Sequence, residues 1–108
     1  MPNAKGRTTE FEVSVAILRY LSTQPEGCAS LEEIRVAIPY YIPLTRRDLE
    51  YSVTRPGEQL WEQLVRNIQS HHTSPNNFIR LGYLEHVPGG GYGITQEGRE
   101  YLEENDSE

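Results

Sequence analysis

The stretch GYLEHVPGGGYGIT, residues 82–95, limits the fold of this chain more than any other. Strand formers stand on both sides of a breaker cluster: Tyr83, Leu84 and Val87 before it, Tyr92, Ile94 and Thr95 after it. Such a pattern predicts a β-hairpin with a glycine tip. Three glycines in a row allow a tight turn, and they also let the backbone come close to another surface. That surface is either a ligand such as a sugar–phosphate chain or nothing more than the turn itself.

The residues before and after the hairpin read as helices. Thr9 is placed to cap a helix over residues 11–23, with Phe11, Val15, Leu18 and Leu21 on one stripe and Ile17 beside them. QPEGCA reads as a loop. SLEE, from Ser30 to Glu33, has the reciprocal capping pattern, and Leu31, Ile34 and Ile38 face inward until Pro39 and Pro43 stop the helix. Residues 39–59 are the least regular. Thr45 to Asp48 repeats the capping pattern and predicts one or two turns over residues 45–51, and Tyr40, Tyr41 and Tyr51 are expected to pack over the core. The longest helix is expected over residues 58–72. Leu60, Trp61, Leu64, Val65 and Ile68 form its apolar face, with His71 on the same side. Ser74 and Pro75 read as a second helix start, closed by Gly82. Thr95 caps a last helix in which Tyr101 and Leu102 pack back. The fold class is α+β and mostly helical. The expected division is a flexible arm over residues 1–8, a domain over 9–104 and an acidic tail over 105–108.

The 108 residues suit one domain. No apolar run approaches the ~18 residues that span a bilayer, and the start has no apolar secretory stretch. A single cysteine, Cys28, excludes an intrachain disulfide and fits a reducing cytoplasm. Cys28, His71, His72 and His86 lack metal-ligand spacing, so neither metal nor cofactor is expected. No nucleophile elbow, phosphate loop or HExxH spacing is present, and an enzyme is not expected. The net charge of −6 opposes nucleic-acid binding, but its distribution matters. Residues 95–108 carry six acids against Arg99, whereas residues 1–94 carry ten acids and nine bases. Phosphate binding needs a local basic surface rather than a basic whole.

Helices closed by a hairpin follow the winged helix-turn-helix order, with the glycine hairpin as the wing. LGYLEHVPGGGYGITQEGREYL is similar to the recurrent ending of bacterial and archaeal winged-helix domains. Together with SLEEIR, LTRRDLE and WEQLVRNIQSHH it resembles the N-terminal domain of Mrr-type restriction endonucleases and their stand-alone relatives, over residues 10–104. The resemblance implies a winged-helix domain with an extra terminal helix that binds double-stranded DNA, as a regulator or as part of a restriction system. The nuclease half of those enzymes has no counterpart here. The wing tip carries no arginine or lysine.

Two segments compete as the reader of DNA. The long helix offers Gln63, Arg66, Asn67, Ser70 and His72; arginine suits guanine, and glutamine or asparagine suits adenine. A surface helix also needs a polar face for solubility alone, and Glu62 would repel phosphate. The TSPNN turn offers Asn76, Asn77 and Arg80, either as ligands of phosphate and bases or as ordinary turn formers. Arg46 and Arg47 are expected to clamp phosphates or to pair with Asp48 and Glu50. Gly90 and Gly91 would bring the wing backbone against the duplex. Lys5 and Arg7 can reach a minor groove. One weak module implies a homodimer, with the terminal helices as its contacts. The alternative is a winged-helix protein-interaction module or a DNA mimic, docking through the acidic tail or the tyrosine-rich insert.

Overall fold

A computed structural model describes residues 8–106. The order is α1 (Glu10–Ser22), β1 (Cys28–Ala29), α2 (Leu31–Ala37), a 3-10 turn (Ile38–Tyr40), α3 (Leu60–Ser70), β2 (Leu84–His86), β3 (Tyr92–Ile94) and α4 (Gln96–Asp106). The class is α+β, with four α-helices and one small antiparallel sheet among the described residues. None of these helices is long and apolar enough to cross a membrane.

Local chemistry sets the helix starts. The Thr9 hydroxyl accepts from the Glu12 amide at 3.1 Å, and the Glu12 carboxylate accepts from the Thr9 amide at 2.8 Å. Ser30 and Glu33 repeat this exchange at 3.1 and 2.9 Å. Each pair satisfies two amides that the first helical turn leaves open. The Thr95 hydroxyl caps α4 by accepting from the Gly98 amide at 2.9 Å, and it also donates to the Gly82 carbonyl.

The core joins Val13, Ile17, Leu18 and Leu21 of α1 to Ile34 and Ile38, to Trp61, Val65 and Ile68 of α3, and to Leu84, Tyr92 and Leu102. The expected apolar face of α3 is therefore the buried one. On α1 the buried face is rotated from the expected stripe: Val13 and Ala16 are inside, and Phe11 is 56% exposed. The cause is that α1 packs against α2, α3, α4 and β3 together, so no single stripe describes it.

The sheet order is β1-β3-β2, with Leu84 opposite Ile94, His86 opposite Tyr92 and Ala29 opposite Tyr92. The hairpin stands where the sequence places it. β1 lies inside the expected loop QPEGCA. Two residues carry no strand signal of their own; they pair because β3 offers them an open edge. This pairing also explains part of the triple glycine. Gly91 has φ +99, and a Cβ there would lie 2.2 Å from the Ala29 carbonyl oxygen. The backbone does approach something closely, and that something is the chain's own β1.

Three local expectations are corrected. Residues 78–81 form a single turn instead of a helix. Asn77 accepts from the amides of Ile79 and Arg80 through its side chain, and the segment closes at once through a Schellman pair: Gly82 N–H to Ile79 and Tyr83 N–H to Phe78. Four residues between a cap and a stop leave no room for propagation. His71 is exposed rather than buried, because α3 ends at Ser70 and the chain turns there with ψ 25°. In the insert only Tyr41 packs on the core, together with Ile42 and Leu44, while Tyr40 and Tyr51 are exposed.

Asp48 organises the insert. Its carboxylate accepts from the Thr45 amide at 2.9 Å, the Thr8 amide at 2.7 Å and the Thr8 hydroxyl at 2.6 Å. Thr45 and Asp48 thus make the expected reciprocal pair, and it closes turns over residues 46–49. Thr8, the last residue of the expected arm, is buried on Asp48. Lys5 and Arg7 lie outside the described residues.

Candidate nucleic-acid interface

Helix α3 is held against the hairpin by one side chain. The Tyr92 hydroxyl donates to the Val65 carbonyl at 2.7 Å and accepts from the Gln69 amide at 3.1 Å. The apolar stripe buries one side of α3, and Tyr92 ties its C-terminal half to β3. What remains outward is the polar face. Gln63, Arg66 and Asn67 are half-buried on it, and Ser70 is exposed. Gln63, Asn67 and Ser70 make no side-chain hydrogen bond among the described residues, so their donors and acceptors are open to a ligand.

Arg66 is engaged. Its guanidinium forks onto Glu58, with Nη2 to Oε1 at 2.7 Å and Nε to Oε2 at 3.3 Å. Arg35, from the last turn of α2, reaches the same carboxylate at 3.6 Å. Its buried Nε has no hydrogen-bond partner among the described residues. Arg55 adds a third positive charge close enough to act on Glu58. The Arg66 hydrogen bond, aided by the charges of all three arginines, outweighs burial and holds the Glu58 carboxyl below its ordinary range. The same bond pushes Arg66 up. Arg66 and Arg35 touch the Glu58 carboxylate and the charge of Arg55 also acts on it, while Glu62 is the acid of α3 itself. Arginines are thus gathered beside α3 in a chain of net charge −6.

Sequence reading singled out Arg66 but neither Arg35, Arg55 nor Glu58. The sequence carries no signal for the Arg35 contact, since α2 and α3 meet only through the tertiary fold.

The other candidates are placed as follows. Arg46 is exposed, and Arg47 pairs with Glu50 at 3.7 Å. His72 is exposed and its Nδ1 lies 3.0 Å from the Gln69 carbonyl. Asn76 is exposed. Asn77 is buried and committed to the fold: besides its two acceptor bonds, its amide donates to the Ile68 carbonyl at 2.8 Å, which caps the end of α3. Arg80 donates to the Thr73 carbonyl at 3.3 Å. Gly90 is half-buried at the hairpin tip with open space around it, whereas Gly91 is buried against β1.

The candidates therefore fall into separate groups. Gln63, Arg66 and Asn67 share the α3 face with the arginine cluster. Asn77 serves the backbone instead. Comparisons with protein-family models, with curated proteins and with solved structures find no match for this chain.

Proposed function

We propose that this chain is a winged-helix domain that binds double-stranded DNA, as a homodimeric regulator or restriction-related module. The element order and the β1-β3-β2 sheet support the winged-helix reading, with α3 as the reading helix and the β2–β3 hairpin as the wing. The observation that carries the function is the cluster of Arg35, Arg55 and Arg66 around the single carboxylate of Glu58. It gathers three arginines beside the open amides of Gln63 and Asn67. Phosphates would meet the arginines, and bases would meet the amides.

Fluorescence anisotropy with a pool of genomic duplex fragments, across a salt series, tests this. Binding that weakens steeply as salt rises is expected, with a slope of about −0.9 per phosphate contacted. Absence of binding at ~50 mM salt, where even modest phosphate contact registers, would overturn the proposal.

A second reading has its own support. Tyr40 is 86% and Val53 97% exposed, on the outer side of the insert. Those side chains suit a protein partner. A stoichiometric protein partner recovered with no nucleic acid would favour this module over the DNA reader.

A further inference from the structure

The polar face of α3 leaves unused a cleft of about 660 Å³ between the start of α1, the turn after α3, and α4. Its floor is Phe78, 2% exposed. Phe11 meets Phe78 edge-on at 5.7 Å, and Tyr83 and Tyr101 meet it at 5.2 and 5.4 Å. Tyr83 and Tyr101 stack on each other at 4.7 Å. Phe11 and Leu81 stand 56% and 43% exposed at the mouth, apolar area with no cover among the described residues.

The lining holds one carboxylate and one imidazole, Glu10 and His71, which pair with each other. Glu10 is the only carboxylate in the lining, and neither lysine nor arginine lines it among the described residues. Its Oε1 lies 2.9 Å from His71 Nδ1, and its side chain is 28% exposed. Ser14 is occupied by the Glu10 carbonyl at 2.8 Å, and Asn77 by the backbone bonds above. The Glu10 carboxylate, held on one oxygen by His71, is the one acidic group in the lining that a ligand would meet. Aromatic walls, a carboxylate and this volume match one chemistry: a small ring-bearing ammonium ion. The carboxylate attracts its charge, the electron-rich ring faces add to that attraction, and its ring covers Phe11 and Leu81.

We infer that the cleft bounded by Glu10, Phe11, His71, Leu81 and Tyr101 is a binding site for small arylalkyl amines in their cationic form. Because His71 caps the C-terminus of α3, a ligand here would bear on the end of that helix. The site stands whether or not α3 binds DNA.

The test is a titration of the 15N-labelled full chain, followed by amide shifts, with phenethylammonium as probe and phenylacetate as the control of opposite charge. Saturable shifts centred on Glu10, Phe11, Asn76 and Tyr101 are expected with the ammonium and not with the carboxylate. Glu10→Gln should weaken binding about tenfold, by loss of the charge that holds the ammonium. His71→Ala should strengthen it, by freeing the carboxylate; this second variant decides the matter should Glu10→Gln fail to fold, as thermal melts would reveal. No shifts at millimolar ammonium, equal response to phenylacetate, or affinity unchanged in both variants would overturn the assignment. So would shifts at these amides that follow protein concentration alone, which would mark a second copy as the occupant.

Discussion

The Tyr92 hydroxyl sits between two turns of α3, donating to the Val65 carbonyl at 2.7 Å and accepting from the Gln69 amide at 3.1 Å. Val65 and Gln69 are four residues apart, the groups that bond each other in an uninterrupted helix. A side chain from the sheet, 1% exposed, thus bonds both backbone groups of one helical turn. It fixes α3 against β3 more firmly than apolar packing alone, because both bonds are directional.

Tyr92→Phe should cost about 1–2 kcal/mol, read as a shift in the urea midpoint. Faster amide exchange near Gln69 should accompany it. The pH dependence gives a second check. Burial, aided by the charge of Glu10, pushes the Tyr92 hydroxyl up to about 12, against the opposing Gln69 hydrogen bond. The folded value lies above the unfolded one near 10, so the unfolded chain releases its proton first. The resulting stability is fully present below pH ~10 and is lost as pH rises from there towards 12. Wild type should lose on the order of 2 kcal/mol over that range relative to Tyr92→Phe. Parallel alkaline curves for the two proteins would refute the burial argument.

Asp48 should show the opposite sign. Burial alone would raise its pKa, but hydrogen bonds from Thr45 and Thr8 outweigh burial and hold it below the ordinary carboxylate range. Its contribution is present above the unfolded value near 4 and is lost as pH falls through the folded one. Asp48→Asn should cost about 2–3 kcal/mol at neutral pH, since an amide cannot accept all three donors. The gap between variant and wild type should close in acid, which denaturant titrations at pH 7 and below pH 3 would reveal.

Glu58 restrains the arginines around it. On the DNA-binding proposal, Glu58→Gln should tighten binding and steepen its salt dependence, because Arg35 and Arg66 lose a competing anion. Arg66→Ala should weaken binding by about 1–3 kcal/mol. Anisotropy titrations of the three proteins at matched salt measure both effects. Equal affinities would remove the arginine cluster from the interface.

Two neighbouring glycines should differ sharply. Gly91→Ala places a Cβ 2.2 Å from the Ala29 carbonyl oxygen and keeps a φ of +99. Gly90→Ala meets open space and bears only its φ of +111. The second change should cost about 1–2 kcal/mol of backbone strain, and the first distinctly more, through loss of the β1–β3 contact. Thermal melts of the pair would show the order, and equal losses would mean that β1 yields without cost.

The sequence by itself determined what short-range chemistry controls. Thr9, Ser30 and Thr95 cap helices because a hydroxyl and an amide three residues on are always within reach. Trp61, Val65 and Ile68 face inward because helical periodicity leaves them no other side, and the hairpin forms because its turn is written in glycine. Tertiary structure decided whatever depends on distant partners. β1 exists only because β3 lies beside it, and Thr8 is fixed only by Asp48, forty residues away. Arg66 is paired because the insert brings Glu58 back to it, and His71 turns outward to Glu10, sixty-one residues earlier. Such contacts carry no periodic signature. Their energy arises only once the core has brought the elements together, and so neither the arginine cluster nor the aromatic cleft was legible before the fold was known.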